Sequence, residues 1–125
     1  MIHEEIVTYE VAKLAKEEGF NEYEACTHIY EDDDQWYTLT TYINAKGIDW
    51  SKDKFTVAPT QALLQRWLRE EKKVEAVVLS QNNIGKPYFG DVYTERGLEN
   101  RYCKGFDTYE LALEDALKYA LENLV

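Results

Sequence analysis

The sequence predicts an α+β fold: an antiparallel sheet of four to five strands, built from two hairpins, covered by three amphipathic helices. Two observations carry this expectation. Residues Cys26–Tyr30 with Trp36–Tyr42, and Val74–Leu79 with Tyr88–Thr94, form two β-prone doublets, each broken by a polar turn. Three further stretches repeat apolar residues at helical spacing, and each stripe needs a surface that the hairpins can supply. The expected order is α-β-β-α-β-β-(β)-α. Two smaller sheets, one for each hairpin, are the alternative arrangement.

In the first helix Thr8 suits the N-cap, and Val7 before it can staple against Ala12. Val7, Val11, Leu14 and Ala15 share a face, and Gly19 stops the helix. The first hairpin turns through Glu31-Asp32-Asp33-Asp34-Gln35, which is polar and has no strand preference. Residues 43–57, with Asn44, Gly47, Asp49, Ser51 and Asp53, read as a long connection. The second helix opens at Pro59, whose missing N–H costs nothing in a first turn. Leu63, Leu64, Trp67 and Leu68 make its inner stripe, with Gln65, Arg66, Arg69 and Glu70 outward.

The second hairpin turns through Asn82–Pro87, and Tyr102–Lys104 is the short additional strand. Asp107 and Glu110 form a capping-box pattern for the last helix. Tyr109, Ala112, Leu113, Ala116, Leu117, Ala120, Leu121 and Leu124 then follow the helical period, opposite Glu114, Asp115, Lys118 and Glu122.

At 125 residues, with 45% hydrophobic and 14% aromatic residues, the chain suits one domain with ample core. No Pro/Ser-rich linker divides residues 1–125, but charge does. The net −10 splits into −8 over residues 1–58 and −2 over residues 59–125. This balance disfavours a basic nucleic-acid binder. No apolar run approaches the roughly 20 residues of a membrane span, and Met1-Ile2-His3-Glu4-Glu5 lacks signal-peptide features. Cys26 and Cys103, far apart and without metal-ligand spacing, point to a reduced, cytoplasmic setting.

No catalytic constellation stands out. Counted as a calcium loop from Asp32, the acidic run places Trp36 at a ligand position and Tyr37 where the glycine belongs, so a solvated hairpin tip is expected. Neither cysteine has a motif that would pair it with His28 as nucleophile and base. The two histidines make no zinc pattern, and Gly85 and Gly105 are lone turn glycines rather than a phosphate loop. No cofactor or metal is expected.

Two resemblances cover parts of the chain. From Pro59 onward, helix, hairpin, short strand and helix, with Gly105 before the last, look like the layout of a double-stranded-RNA-binding domain. That family reaches phosphates with lysines at the start of its last helix. Here those places hold Asp107, Thr108, Tyr109 and Glu110, so RNA binding through that surface is not implied. Across most of the chain, Pro59-Thr60-Gln61 leading to Trp67-Leu68-Arg69-Glu70, Tyr9-Glu10-Val11-Ala12-Lys13-Leu14-Ala15-Lys16 before Gly19-Phe20, and Thr108-Tyr109-Glu110 are similar to a family of small proteins from gut bacteria and their phages. That family has no assigned function. The resemblance implies a phage or mobile-element origin and carries no catalytic residue.

The expected function is therefore a non-catalytic protein-interaction module. Its partner is a host or phage protein, or a second copy of the chain; membrane and nucleic acid are not expected. Asp32, Asp33, Asp34 and Trp36 at the acidic end, with Arg66 and Arg69 on the second helix, are the candidate contact surface. Exposed aromatics beyond what one sheet face can bury support it. The alternative is a small enzyme with a pocket in the 43–57 connection, near Trp50 and Asp53.

Overall fold

A computed structural model of the chain describes residues 4–22, 25–31, 36–38, 55–81, 85–99 and 104–125. Its element order is α1 (Tyr9–Glu17), β1 (His28–Glu31), β2 (Trp36–Thr38), β3 (Phe55–Ala58), α2 (Gln61–Trp67), a π-helical turn (Leu68–Lys72), β4 (Glu75–Ser80), β5 (Tyr88–Thr94), β6 (Gly97–Leu98) and α3 (Tyr109–Asn123). The α+β class and three α-helices are as expected. The sheet is not: the described strands form two three-stranded antiparallel sheets, ordered β2-β1-β3 and β4-β5-β6. The chain divides accordingly into two compact units, Met1–Leu63 and Leu64–Val125.

In the first unit, Thr8 caps α1 as expected, its hydroxyl accepting the Val11 N–H at 3.3 Å. Gly19, at φ 96°, follows the helix in the left-handed region that glycine enters without strain. Val7, Val11, Ala12 and Ala15 are buried. Tyr30 is fixed from two directions: its hydroxyl donates to the Val7 carbonyl at 2.8 Å, and its ring meets Tyr9 edge-on at 5.4 Å. Residues 55–57, expected as the end of a connection, instead belong with Ala58 to the strand β3, pairing Ile29 with Val57 and Tyr30 with Thr56. All four of those residues are buried, so β1 and β3 are enclosed on both faces and lack the alternation that would have marked them. The rest of the connection, residues 43–54, lies outside the described residues.

The second helix starts later than expected. Pro59 is buried ahead of it, its carbonyl taking the Val7 N–H, and Thr60 caps the helix by accepting from Leu63 N–H at 3.1 Å.

In the second unit, the π-helical turn ends at Lys73, whose φ of 58° reverses the chain into β4. β5 spans Tyr88–Thr94 as expected. A short strand β6 lies at Gly97–Leu98; of the expected extra strand, Tyr102 and Cys103 lie outside the described residues, and Phe106 bridges to Tyr88. The cap of α3 is also corrected, because Thr108, not Asp107, accepts the Leu111 N–H at 3.1 Å. α3 lies across β4 and β5. Ala112, Leu113, Ala116, Leu117, Ala120 and Leu121 are buried as the period predicts, while Tyr109 is exposed. The approach is close: a Cβ on Gly90 would stand 2.8 Å from the Ala112 carbonyl and from the Ala116 methyl. Only glycine lets helix and strand come this near.

Candidate interaction surface

Gly90 fixes the orientation of the second sheet. Its α-carbon faces α3, and Val78, its cross-strand partner, shares that side. Alternation then sends Phe89, Asp91 and Tyr93 to the opposite face, together with their partners Leu79, Val77, Glu75 and Leu98. α3, which lies across β4 and β5, takes the inner face, and Arg69 of the π-helical turn reaches Glu75 on the outer one. Leu98 is 53% exposed, Leu79 43% and Tyr93 36%. Val77 and Phe89 are half-buried between them.

At the centre stands Asp91, only 5% exposed. A buried carboxylate needs a donor, and Tyr93 supplies one, its hydroxyl reaching Asp91 Oδ2 at 3.2 Å. Desolvation, followed by the charge of Asp91 and this hydrogen bond, pushes the Tyr93 phenol above its ordinary range.

The surface expected from the sequence is distributed differently. Asp32, Asp33 and Asp34 lie outside the described residues, as do Trp50 and Asp53. Trp36 is in β2, opposite Tyr30 of β1. Arg66 and Arg69 are exposed, as expected, and each has an acid partner within the second unit: Arg66 meets Glu70 at 2.8 Å and Arg69 meets Glu75 at 3.6 Å. Such exposed pairs hold little energy and leave little uncompensated charge to recruit a partner.

Among the described residues, catalytic chemistry finds no comparable assembly. Cys26 is buried, donating to the Glu22 carbonyl at 3.4 Å, and burial, with the charge of Glu22 adding to it, raises its thiol pKa to about 12. A thiol so protonated is a poor nucleophile. His28 contacts the Thr27 hydroxyl at 2.8 Å, and desolvation lowers its pKa. Among the described residues no group of three or more His, Cys, Asp or Glu is placed to hold a metal.

A cleft of about 370 Å³ in the second unit is edged by Lys72, Lys73, Thr94 and Arg96. Its cations are already engaged: Lys72 lies over the Trp67 ring, Lys73 donates to the Glu70 carbonyl, and Arg96 pairs with Glu99. Among the described residues no helix is long and apolar enough to cross a membrane.

Sequence reasoning missed Leu79, Asp91 and Leu98; Tyr93 was visible only as one of the aromatics of the second hairpin that had to face outward. The signal was present in Tyr88–Thr94, where apolar residues occupy both alternating sets and one set contains the lone Gly90. Comparisons with protein families, with curated proteins and with solved structures find nothing that matches this chain.

Proposed function

We propose that this chain is a non-catalytic protein-interaction module and that the outer face of its second sheet is the contact surface. The exposure of Leu79, Tyr93 and Leu98 on one sheet face is the observation that carries the reading. Scattered apolar residues are ordinary on a surface, but a contiguous group on one rigid face costs solubility and is characteristic of binding sites. Tyr93 suits such a face, since its ring offers apolar area while Asp91 satisfies its hydroxyl. The partner is a cytoplasmic protein of host or phage, or a second copy of the chain. The phage or mobile-element setting comes from the resemblance alone. The acidic residues Asp32, Asp33 and Asp34 add long-range steering toward a basic partner.

Capture from host lysate with wild type and with Leu98→Glu tests the face. Leu98 is exposed, so the substitution leaves the fold intact while placing a charge in the apolar group. Bound partner should fall about tenfold or more, the loss expected of a central apolar contact. Capture equal to wild type removes this face from the proposal.

A further inference from the structure

We infer that the free edge of β4 pairs with the same edge of a second copy of this chain, antiparallel and centred on Leu79. This rests on the interaction-module reading but uses the edge of the sheet and, of its outer face, Leu79 alone; Leu98 belongs to the outer face only.

The direction of each backbone group in β4 follows from its ladder with β5. Gln81 N–H donates to the Pro87 carbonyl at 2.8 Å, which makes that pair hydrogen-bonded, and hydrogen-bonded pairs alternate with open ones. Glu75, Val77 and Leu79 therefore aim N–H and C=O at β5, whereas Ala76, Val78 and Ser80 aim theirs away. On the far side of β5 the corresponding groups are used: Tyr88 exchanges two bonds with Phe106, and the Val92 carbonyl accepts from Glu99. On β4 the Ala76 carbonyl accepts the Gln65 side-chain amide at 2.6 Å. Among the described residues no strand pairs with Val78 or Ser80 on that side.

Such an edge invites another strand, and edges that avoid pairing carry lysine, proline or inward charge. Residues 76–81, Ala-Val-Val-Leu-Ser-Gln, carry none of these, in a chain whose residues are 30% charged. The Gln65 bond also selects the register. A pairing centred on Val78 would need the Ala76 carbonyl, which is taken. Centring on Leu79 uses only Val78 and Ser80: Val78 exchanges two hydrogen bonds with the partner's Ser80, and symmetry repeats them.

Leu79 then faces the partner's Leu79 in an open pair, at the short Cβ separation of about 4.5–5.5 Å, so two exposed side chains cover each other. Glu75, the one charged residue in β4, is already met by Arg69. It falls about 27 Å along the strands from the partner's Glu75 at ~3.4 Å per residue, beyond the ~8 Å screening length at physiological salt. The contact brings no like charges together.

Sedimentation of the full chain over a range of concentrations, with Ser80→Pro, Leu79→Lys and Leu98→Glu, tests this pairing. Proline at 80 removes an N–H that points away from β5, so the β4–β5 ladder survives. Lysine at 79 sets two ammonium groups opposite each other. Wild type should pass from monomer to dimer in the micromolar range expected of a small interface. Ser80→Pro and Leu79→Lys should each weaken the dimer at least about tenfold, and Leu98→Glu should not. Should Ser80→Pro fail to fold, amide exchange of wild type serves instead: the Val78 and Ser80 amides should gain protection as concentration rises. A wild type monomeric throughout, a dimer that persists in both edge variants, or edge amides indifferent to concentration overturns the pairing. Lysate capture that depends on Leu98 would leave the outer face standing in that case, so the two readings fail separately.

Discussion

Cys26 shows how far one buried residue can tie stability to solution conditions. Its thiol is pushed up to about 12 by burial first and by the charge of Glu22 second. An unfolded cysteine titrates near ~8.5, so the folded pKa is the higher one. Stability from this group is therefore complete below about pH 8.5 and is lost as pH rises toward 12, because only the unfolded chain readily releases the proton. At ~1.4 kcal/mol per pH unit the loss is on the order of 5 kcal/mol. The Tyr93 phenol is also shifted up, so the readout is the difference between wild type and Cys26→Ala in urea unfolding at several pH values. Cys26→Ala should show the shallower alkaline decline. Parallel curves would mean the thiol is not held as described.

At the scale of the element, α3 is the most legible part of the sequence. Of its predicted stripe, Ala112, Leu113, Ala116, Leu117, Ala120 and Leu121 are buried, while Tyr109 at the start is exposed and Leu124 at the end is half-buried. Periodicity reports which side of a helix turns inward, since helical spacing is local chemistry. Leu117, fully buried at the centre, should not tolerate Asp: an unpaired carboxylate there costs several kcal/mol against a total of ~5–15 kcal/mol. Loss of soluble folded protein is the expected result for Leu117→Asp, and wild-type-like melting would show that α3 does not dock.

Strand grouping is different in kind. β5 was legible to the residue, yet β3 was hidden because Thr56, Val57 and Ala58, successive and all buried, carry no alternation. The division into two sheets depends on β1 choosing β3 as its second neighbour, a pairing between distant segments that no window of sequence displays. The contact surface follows the same logic. Arg66 and Arg69 were visible as charges, but their acid partners were not. Which face of the second sheet stays open was decided by where α3 settles. Gly90 was the one residue that could have said so.

The charge of the whole molecule acts on two kinds of association with opposite sign. Each chain carries −10, of which −8 falls in residues 1–58, so two copies repel at long range while a basic partner is drawn in. Salt shortens the reach of both effects, from ~30 Å at 0.01 M to ~3 Å at 1 M. Self-pairing through an uncharged edge should therefore strengthen as salt rises, and capture of a basic partner should weaken. Changing Asp32, Asp33 and Asp34 to Asn lowers the magnitude of the net charge to seven and removes the densest acidic run. Lysate capture by wild type and by this triple variant, each at low and at high salt, gives four conditions. A steered partner should be captured best by wild type at low salt and less in the other three. The variant should also respond less steeply to salt, because fewer charges remain to be screened. Equal capture in all four would remove electrostatic steering and leave partner recognition to the apolar face around Asp91, where salt has little to screen.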